Sequence, residues 1–330
     1  MTILVTGGAG YIGSHTVVEL LNKGYDVLIL DNFCNSKMEV ISRISEITKK
    51  QFGVFNRDCR SDLSSIFENY KIDSVIHFAA LKSVGESVEQ PLRYYKNNID
   101  SLINVLETSE KFGVKSFVFS SSCSLYGNLT KLPASEDSPM SDPESPYAYT
   151  KLVGERILKD FSKTSDMKVV SLRYFNPVGA HESGLIGESP INKPNNILPV
   201  ICNSAENGEL INVFGGDYPT KDGTCIRDYV HVSDIANAHL LAFENSISTN
   251  KSYDVFNLGY GEGVSVLEII KAFEVENSVN VNYEISDRRE GDVVEIYSDS
   301  SKAKNILNWE PKKDIKDMVK SAWLWSKNKI

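Results

Sequence analysis

Short apolar runs alternate with longer amphipathic stretches through the first half of the chain. ILVT (3–6), VLIL (27–30), VFN (54–56), SVIHFA (74–79), SFVFSSS (116–122) and VVSLRYF (169–175) are the runs. Their length and near-continuous apolar character predict strands covered on both faces. Between them, HTVVELLNKG and PLRYYKNNIDSLINVLETSEKFG carry apolar residues at helical spacing. Such alternation predicts an α/β fold, a doubly wound parallel sheet with right-handed crossovers, over residues 1–175. The texture changes after residue 176. NPVGAHESGLIGESPINKPNN is rich in Gly, Pro and Asn and reads as an irregular functional loop. Beyond it, short strands (INVFG, VFNLG, VNYEI) mix with helices (VSDIANAHLLAFENS, SVLEIIKAF, KDMVKSAWLWSK). Residues 176–330 are therefore expected to form a smaller mixed α/β unit over the mouth of the first. Exchange of a strand or helix between the two is left open.

TILVTGGAGYIGSHTVVELL reads as strand, glycine turn and helix. Gly8, Gly10 and Gly13 fit a G-x-G-x-x-G spacing, and Gly7, Gly10 and Gly13 fit G-x-x-G-x-x-G. Glycine lets the backbone turn sharply and approach a pyrophosphate, whose charge the helix N-terminus favours. The second strand ends at Asp31, 18 residues beyond Gly13. A carboxylate there suits the two hydroxyls of an adenosine ribose and repels a 2′-phosphate, which selects NAD over NADP. The first unit is thus expected to be Rossmann-type.

In SPYAYTKLVGE (145–155), Ser145 and Pro146 are suited to cap and start a helix. Residues four apart share a helix face, so Lys151 lies over Tyr147, whereas Tyr149 points elsewhere. Tyrosine has a pKa of about 10. A neighbouring ammonium and a positive nicotinamide ring favour its phenolate, which could take a proton from a sugar hydroxyl. A serine of the strand SFVFSSS could bind the reacting oxygen, since ligands sit at the carboxyl edge of such sheets; spacing alone does not choose among Ser120, Ser121 and Ser122.

The formal net charge is −9, from 35 basic and 44 acidic residues, without a long basic run. That excludes a nucleic-acid surface as the expected partner. No apolar run reaches the roughly 20 residues of a membrane helix, and the chain opens on a strand rather than a signal segment. The five cysteines, Cys34, Cys59, Cys123, Cys202 and Cys225, are scattered without CxxC spacing. Reduced thiols in the cytoplasm are expected, with no structural metal. Cys59 and Cys123 are expected near the pocket as small apolar residues.

GGAGYIGSH, LDNFCNSK, HFAALKSVGES, FSSSCSLYG, SPYAYTK, LRYFNPVGAH, PNNILP, GTCIRDYVHV, NLGYGEGVSV and RREGD run end to end. In order and spacing they resemble the UDP-glucose 4-epimerase family of extended short-chain dehydrogenase/reductases. The resemblance implies Ser122 as the catalytic serine, Tyr147 as the base and Lys151 as the lysine that tunes it and bridges the nicotinamide ribose. It implies NAD contacts at Tyr11, Ile12, Asp31, Asn32, Asn35, Ser36, Asp58, Cys59, Phe78, Ala79, Ala80, Lys82 and Asn97, with Phe175 beside the nicotinamide. Substrate contacts are implied at Asn176, Asn196, Ile197, Asn212, Phe214, Arg227, Arg289 and Asp292. The two arginines suit a diphosphate, and Asp292 suits ribose hydroxyls of the uridine. A homodimer through residues of about 91–112 and 146–163 is implied as well, with Tyr149 packing near the contact.

Related dehydratases carry an Asp-Glu pair where this chain has Cys123 and Ser124, and decarboxylating relatives carry a Glu at the latter position. Neither second-step acid–base set is present, so the resemblance implies epimerisation at C4 of UDP-galactose and UDP-glucose through a 4-keto sugar. Ile296 matches a position beside the sugar's 2-substituent. It is intermediate in size, which leaves the N-acetylated pair UDP-GlcNAc/UDP-GalNAc as an alternative. A net NAD-consuming oxidoreductase and a silent NAD-binding protein are weaker readings, the latter because Ser122, Tyr147 and Lys151 are all present.

Overall fold

The computed structural model describes residues 1–140, 143–191, 194–289 and 292–329. Seven strands form the central sheet: β1 (Thr2–Thr6), β2 (Asp26–Asp31), β3 (Gly53–Asn56), β4 (Ser74–His77), β5 (Ser116–Ser122), β6 (Lys168–Tyr174) and β7 (Tyr253–Leu258). Their order is β7-β6-β5-β4-β1-β2-β3 and every pairing is parallel. The order reverses between β1 and β4, which opens a crevice at the carboxyl ends of those two strands.

Alternate residues of each strand enter two separate cores. Ile3, Val5, Ile29, Ile76, Val118 and Val170 pack with Val17, Val18 and Leu20 of helix α1 (Tyr11–Lys23) on one face. Leu4, Leu28, Val75, Phe117 and Val169 pack with Leu102 and Val105 of helix α2 (Pro91–Lys111) on the other. Burying each such side chain is worth about 1.5–3 kcal/mol, which fixes register as well as stability. Two further helices of these layers position the site: α3 (Pro146–Phe161), beside α2, and α4 (Val232–Ser248), against α1.

One strand expected in the smaller unit lies elsewhere. VFNLG extends β7, which pairs with β6 from Tyr253↔Val169 to Leu258↔Tyr174, and α4 covers the same sheet. Phe256 and Leu258 are fully buried there with Phe243 of α4. The remaining C-terminal elements make a third core from Leu198, Ile201, Val213, Ile269, Phe273, Val319 and Trp323. Among the described residues no helix is long and apolar enough to cross a membrane.

Candidate active site

A cleft of about 400 Å³ follows the carboxyl edge of the sheet from β2 to β6. At its nucleotide end Gly7 has φ +68°, and a Cβ on it would lie 2.8 Å from the Ala79 amide nitrogen. A Cβ on Gly13 would lie 2.3 Å from the Gly7 carbonyl oxygen. The turn and the start of α1 therefore touch backbone to backbone, and the working trio is Gly7, Gly10 and Gly13. Gly8 instead packs under Ile29 and is not part of the cleft wall. Asp31, buried at the end of β2, accepts from the amides of Ala9 (3.0 Å) and Phe33 (2.9 Å) and from the Ser36 hydroxyl (3.0 Å). Asn32 donates to Asp58 at 3.1 Å. The Arg60 guanidinium grips both oxygens of Asp58 and holds that carboxyl well below its ordinary range.

Tyr11, Ile12, Asn35, Cys59, Phe78, Ala79, Ala80, Lys82, Asn97 and Phe175 line the same cleft, as do Tyr147 and Lys151. The glycine cradle and the carboxylate at the end of β2 fit an adenine dinucleotide without a 2′-phosphate. The thiols of Cys59 and Cys123 are both pushed up to about 12, first by burial, so neither is a nucleophile at neutral pH.

Helix α3 starts as its sequence dictates. The Ser145 hydroxyl accepts from the Ala148 amide at 3.3 Å, and Pro146 occupies the first turn, where its missing N–H costs nothing. This places Tyr147 and Lys151 on the face that meets the sheet. The Lys151 ammonium lies 5.9 Å from the Tyr147 ring centroid and donates to the Ser120 carbonyl at 2.7 Å. Tyr149 faces outward, edge-on to Tyr95.

Strand alternation turns Ser121 away from the cleft and leaves Ser120 and Ser122 on it, where Ser120 is engaged by Tyr174. Ser120 bonds Tyr174, Ser121 turns to Glu155, and Ser122 accepts from the Ser124 amide at 3.1 Å while lining the cleft beside Tyr147. Behind them lies a closed network absent from the sequence reading. Glu155 is buried and accepts from Ser121 at 2.5 Å and from Arg173 Nε and Nη2 at 2.9 and 2.6 Å. Arg173 Nη1 donates to Tyr126 at 2.9 Å, and Tyr126 donates to Asn257 on β7 at 2.7 Å. The pair pins α3 to β5 and β6, so the tyrosine and lysine sit on a fixed platform.

The electrostatics differ from expectation in one respect. Burial raises the Tyr147 pKa well above its ordinary value, with Tyr174 adding to the rise and Ser122 opposing it. Lys151 is itself lowered to about 8 by burial, with Glu155 pulling the other way. In the protein alone the lysine does not produce a phenolate, because desolvation of the phenol outweighs an ammonium hydrogen-bonded to Ser120.

The substrate-side residues fall into groups. Asn176 and Asn196 line the cleft. Asn196 holds the N-cap position of the helix Ile197–Asn207, and Ile197, half-buried, begins it. Arg289 and Asp292 line a second recess of about 720 Å³, with Leu129, Tyr218 and Tyr297. Asp292 Oδ1 lies 2.6 Å from Arg289 Nη2 and 3.6 Å from Arg227 Nη2, so one carboxylate bridges the two arginines. The Arg289 guanidinium stands 5.5 Å over the ring of Phe214, which with Asn212 points outward from the strand Ile211–Phe214. Ile296 does not line the cleft. It is buried with Leu125, Tyr126 and Phe175, one layer behind the wall that Phe175 forms. Glu290 and Gly291 of the RREGD run lie outside the described residues. Sequence reading also passed over Glu188, a cleft carboxylate on the Gly/Pro-rich loop whose lack of periodicity singles out no residue.

A Rossmann-type sheet with a serine, a tyrosine and a lysine gathered at the end of its dinucleotide cleft defines a short-chain dehydrogenase/reductase. Residues 4–322 match the family model described as GDP-mannose 4,6 dehydratase. The chain is 47% identical over 334 residues to UDP-glucose 4-epimerase of Bacillus subtilis (strain 168), covering 100% of this chain and 98% of that protein. Its structure matches that of UDP-glucose 4-epimerase from Stenotrophomonas maltophila with bound NAD and formylated UDP-arabinopyranose. There the TM-score is 0.97 at 44% identity, with 99% of this chain and 98% of that one covered. It also matches the Bifidobacterium longum UDP-glucose 4-epimerase in complex with NAD+ and UDP, with a TM-score of 0.95 at 43% identity over 100% and 99% of the chains. The chain belongs to the UDP-glucose 4-epimerase family.

Proposed function

We propose that this protein interconverts UDP-galactose and UDP-glucose by removing and restoring hydrogen at C4 of the sugar. The observation that carries the reading is the meeting of Ser122, Tyr147 and Lys151 in a cleft whose carboxylates are all committed elsewhere. Among the described residues that line it, those carboxylates are Asp31, Asp58 and Glu188. The first two lie at the adenosine end, and Glu188 is bonded to Lys82 and Asn196. With Cys123 and Ser124 after the strand, no acid–base pair among the described lining residues is free to expel water from the sugar, which disfavours dehydration.

NAD, held by the glycine turn, Asp31 and Lys151, supplies when bound a hydride acceptor that returns what it takes, together with a positive ring charge. Tyr147 Oη takes the proton from O4 of the sugar, and the Ser122 hydroxyl orients that oxygen. Lys151 stabilises the phenolate as it forms. Arg227 and Arg289 hold the diphosphate, so the keto sugar can turn and present its other face while the nucleotide stays in place. Ile296 backs the Phe175 wall rather than lining the cleft, so its influence on the size of the C2 substituent passes through Phe175.

Supplied with UDP-galactose, the protein is expected to form UDP-glucose with no net gain in absorbance at 340 nm; steady accumulation of NADH would mark an oxidoreductase instead. The same assay with UDP-GalNAc gives the ratio of kcat/KM that settles the sugar range. Exposed Leu92 and Ile103 on α2 and Tyr149 on α3 support a homodimer through those helices. All five cysteines are free thiols, which fits the reducing cytoplasm.

A further inference from the structure

We propose that Glu188 is a positioning residue that couples the dinucleotide side of the cleft to the UDP-sugar side; this rests on the function proposed above. A carboxylate is an unexpected wall for a cleft that receives two diphosphates, because like charges repel strongly at short range. Its bonds supply the reason. One oxygen, Oε1, accepts from Lys82 Nζ at 2.8 Å and from Asn196 Nδ2 at 2.6 Å. Lys82 follows β4 on the dinucleotide side, with its ammonium 5.8 Å above the Tyr11 ring. Asn196 stands at the start of the helix Ile197–Asn207 on the substrate side. The bridge joins a residue proposed for NAD to one proposed for the UDP-sugar through a single carboxylate oxygen.

The carboxylate is the fixed partner in this bridge. Its side chain is 9% exposed, against 45% for Lys82. The Glu188 carbonyl accepts from the Trp325 indole at 2.9 Å. Gly187 is pressed so closely on that ring that a Cβ would lie 2.5 Å from Cγ. The loop cannot swing without tearing Trp325 from its seat. Two donors sharing one acceptor oxygen compete for it, so Lys82 turning toward a phosphate leaves Oε1 wholly to Asn196. Asn196 is then held in place for the second nucleotide.

The test is a double-mutant cycle on the holoenzyme, read as the Kd for UDP by titration calorimetry. Lys82→Met, Asn196→Ala and their combination are made with Glu188 present and again with Glu188→Ala. With Glu188 present, the combined effect is expected to depart from the product of the single effects by about 5-fold or more. With Glu188→Ala the effects should multiply to within about 2-fold. Glu188→Gln serves if the alanine variant does not fold. Its carbonyl still bonds Asn196 but loses the ion pair, so it too should lose the non-additivity. Effects that multiply in the Glu188 background, or non-additivity that survives both Glu188 variants, would overturn the proposal. Wild-type holoenzyme that holds no NAD or does not bind UDP would instead count against the function on which it rests.

Discussion

Tyr147→Phe is expected to lower kcat for UDP-galactose by on the order of 1,000-fold while the protein still copurifies with dinucleotide and binds UDP. The change deletes one oxygen. That oxygen is the proton acceptor in the proposed chemistry, and the structure puts it beside Ser122 and under Lys151 at the end of the cleft. Phenylalanine keeps the ring packing, so melting temperature should move little. Because burial holds the free phenol protonated, the base depends on charge brought by the bound nicotinamide and by the lysine. Steady-state kinetics with direct assay of bound NAD checks the prediction. Turnover within about 10-fold of wild type would remove Tyr147 from the chemistry.

Lys151→Met should abolish most turnover and at the same time stabilise the cofactor-free fold at neutral pH. Lys151 is 4% exposed and titrates at about 8, against an ordinary value of 10.5. Between those values the unfolded chain carries the proton and the native chain does not, so native stability rises with pH through that window. Below pH 8 both states are protonated, and the whole cost of the buried ammonium, roughly 3 kcal/mol, weighs on the fold. Methionine removes that cost but leaves the Ser120 carbonyl without its donor, a loss of about 1 kcal/mol. A net gain of about 2 kcal/mol is expected at pH 7. It should shrink as pH rises from 8, vanish at about pH 9.5 and turn into a loss of about 1 kcal/mol by about pH 10.5, where only the missing hydrogen bond remains. Urea unfolding of both proteins at several pH values measures it, and a gap that widens with pH would contradict the burial argument.

Much of this site was legible because its residues sit at places that backbone periodicity fixes. Asp31 ends an apolar run, Gly7 to Gly13 link a strand to a helix, and Tyr147 and Lys151 are one helical turn apart. The serine trio was open from spacing; facing side sets Ser121 apart, drawn to the buried Glu155, and the bond to Tyr174 sets Ser120 apart from Ser122. Placement of β7 could not be read locally. VFNLG reads as a short apolar run like those of the first half, and nothing in it names β6 as a partner across some 80 intervening residues. Glu188 was hidden for the opposite reason, since an irregular loop has no period to assign a facing direction. The charge state of Tyr147 depends on how much water the fold excludes, which no helix spacing contains.

The central claim is that the hydrogen taken from C4 is the one put back. UDP-galactose carrying deuterium at C4, converted in ordinary water, tests it by mass spectrometry and NMR of the product. The account predicts UDP-glucose that retains the deuterium at C4. Product carrying solvent hydrogen at that carbon would contradict it.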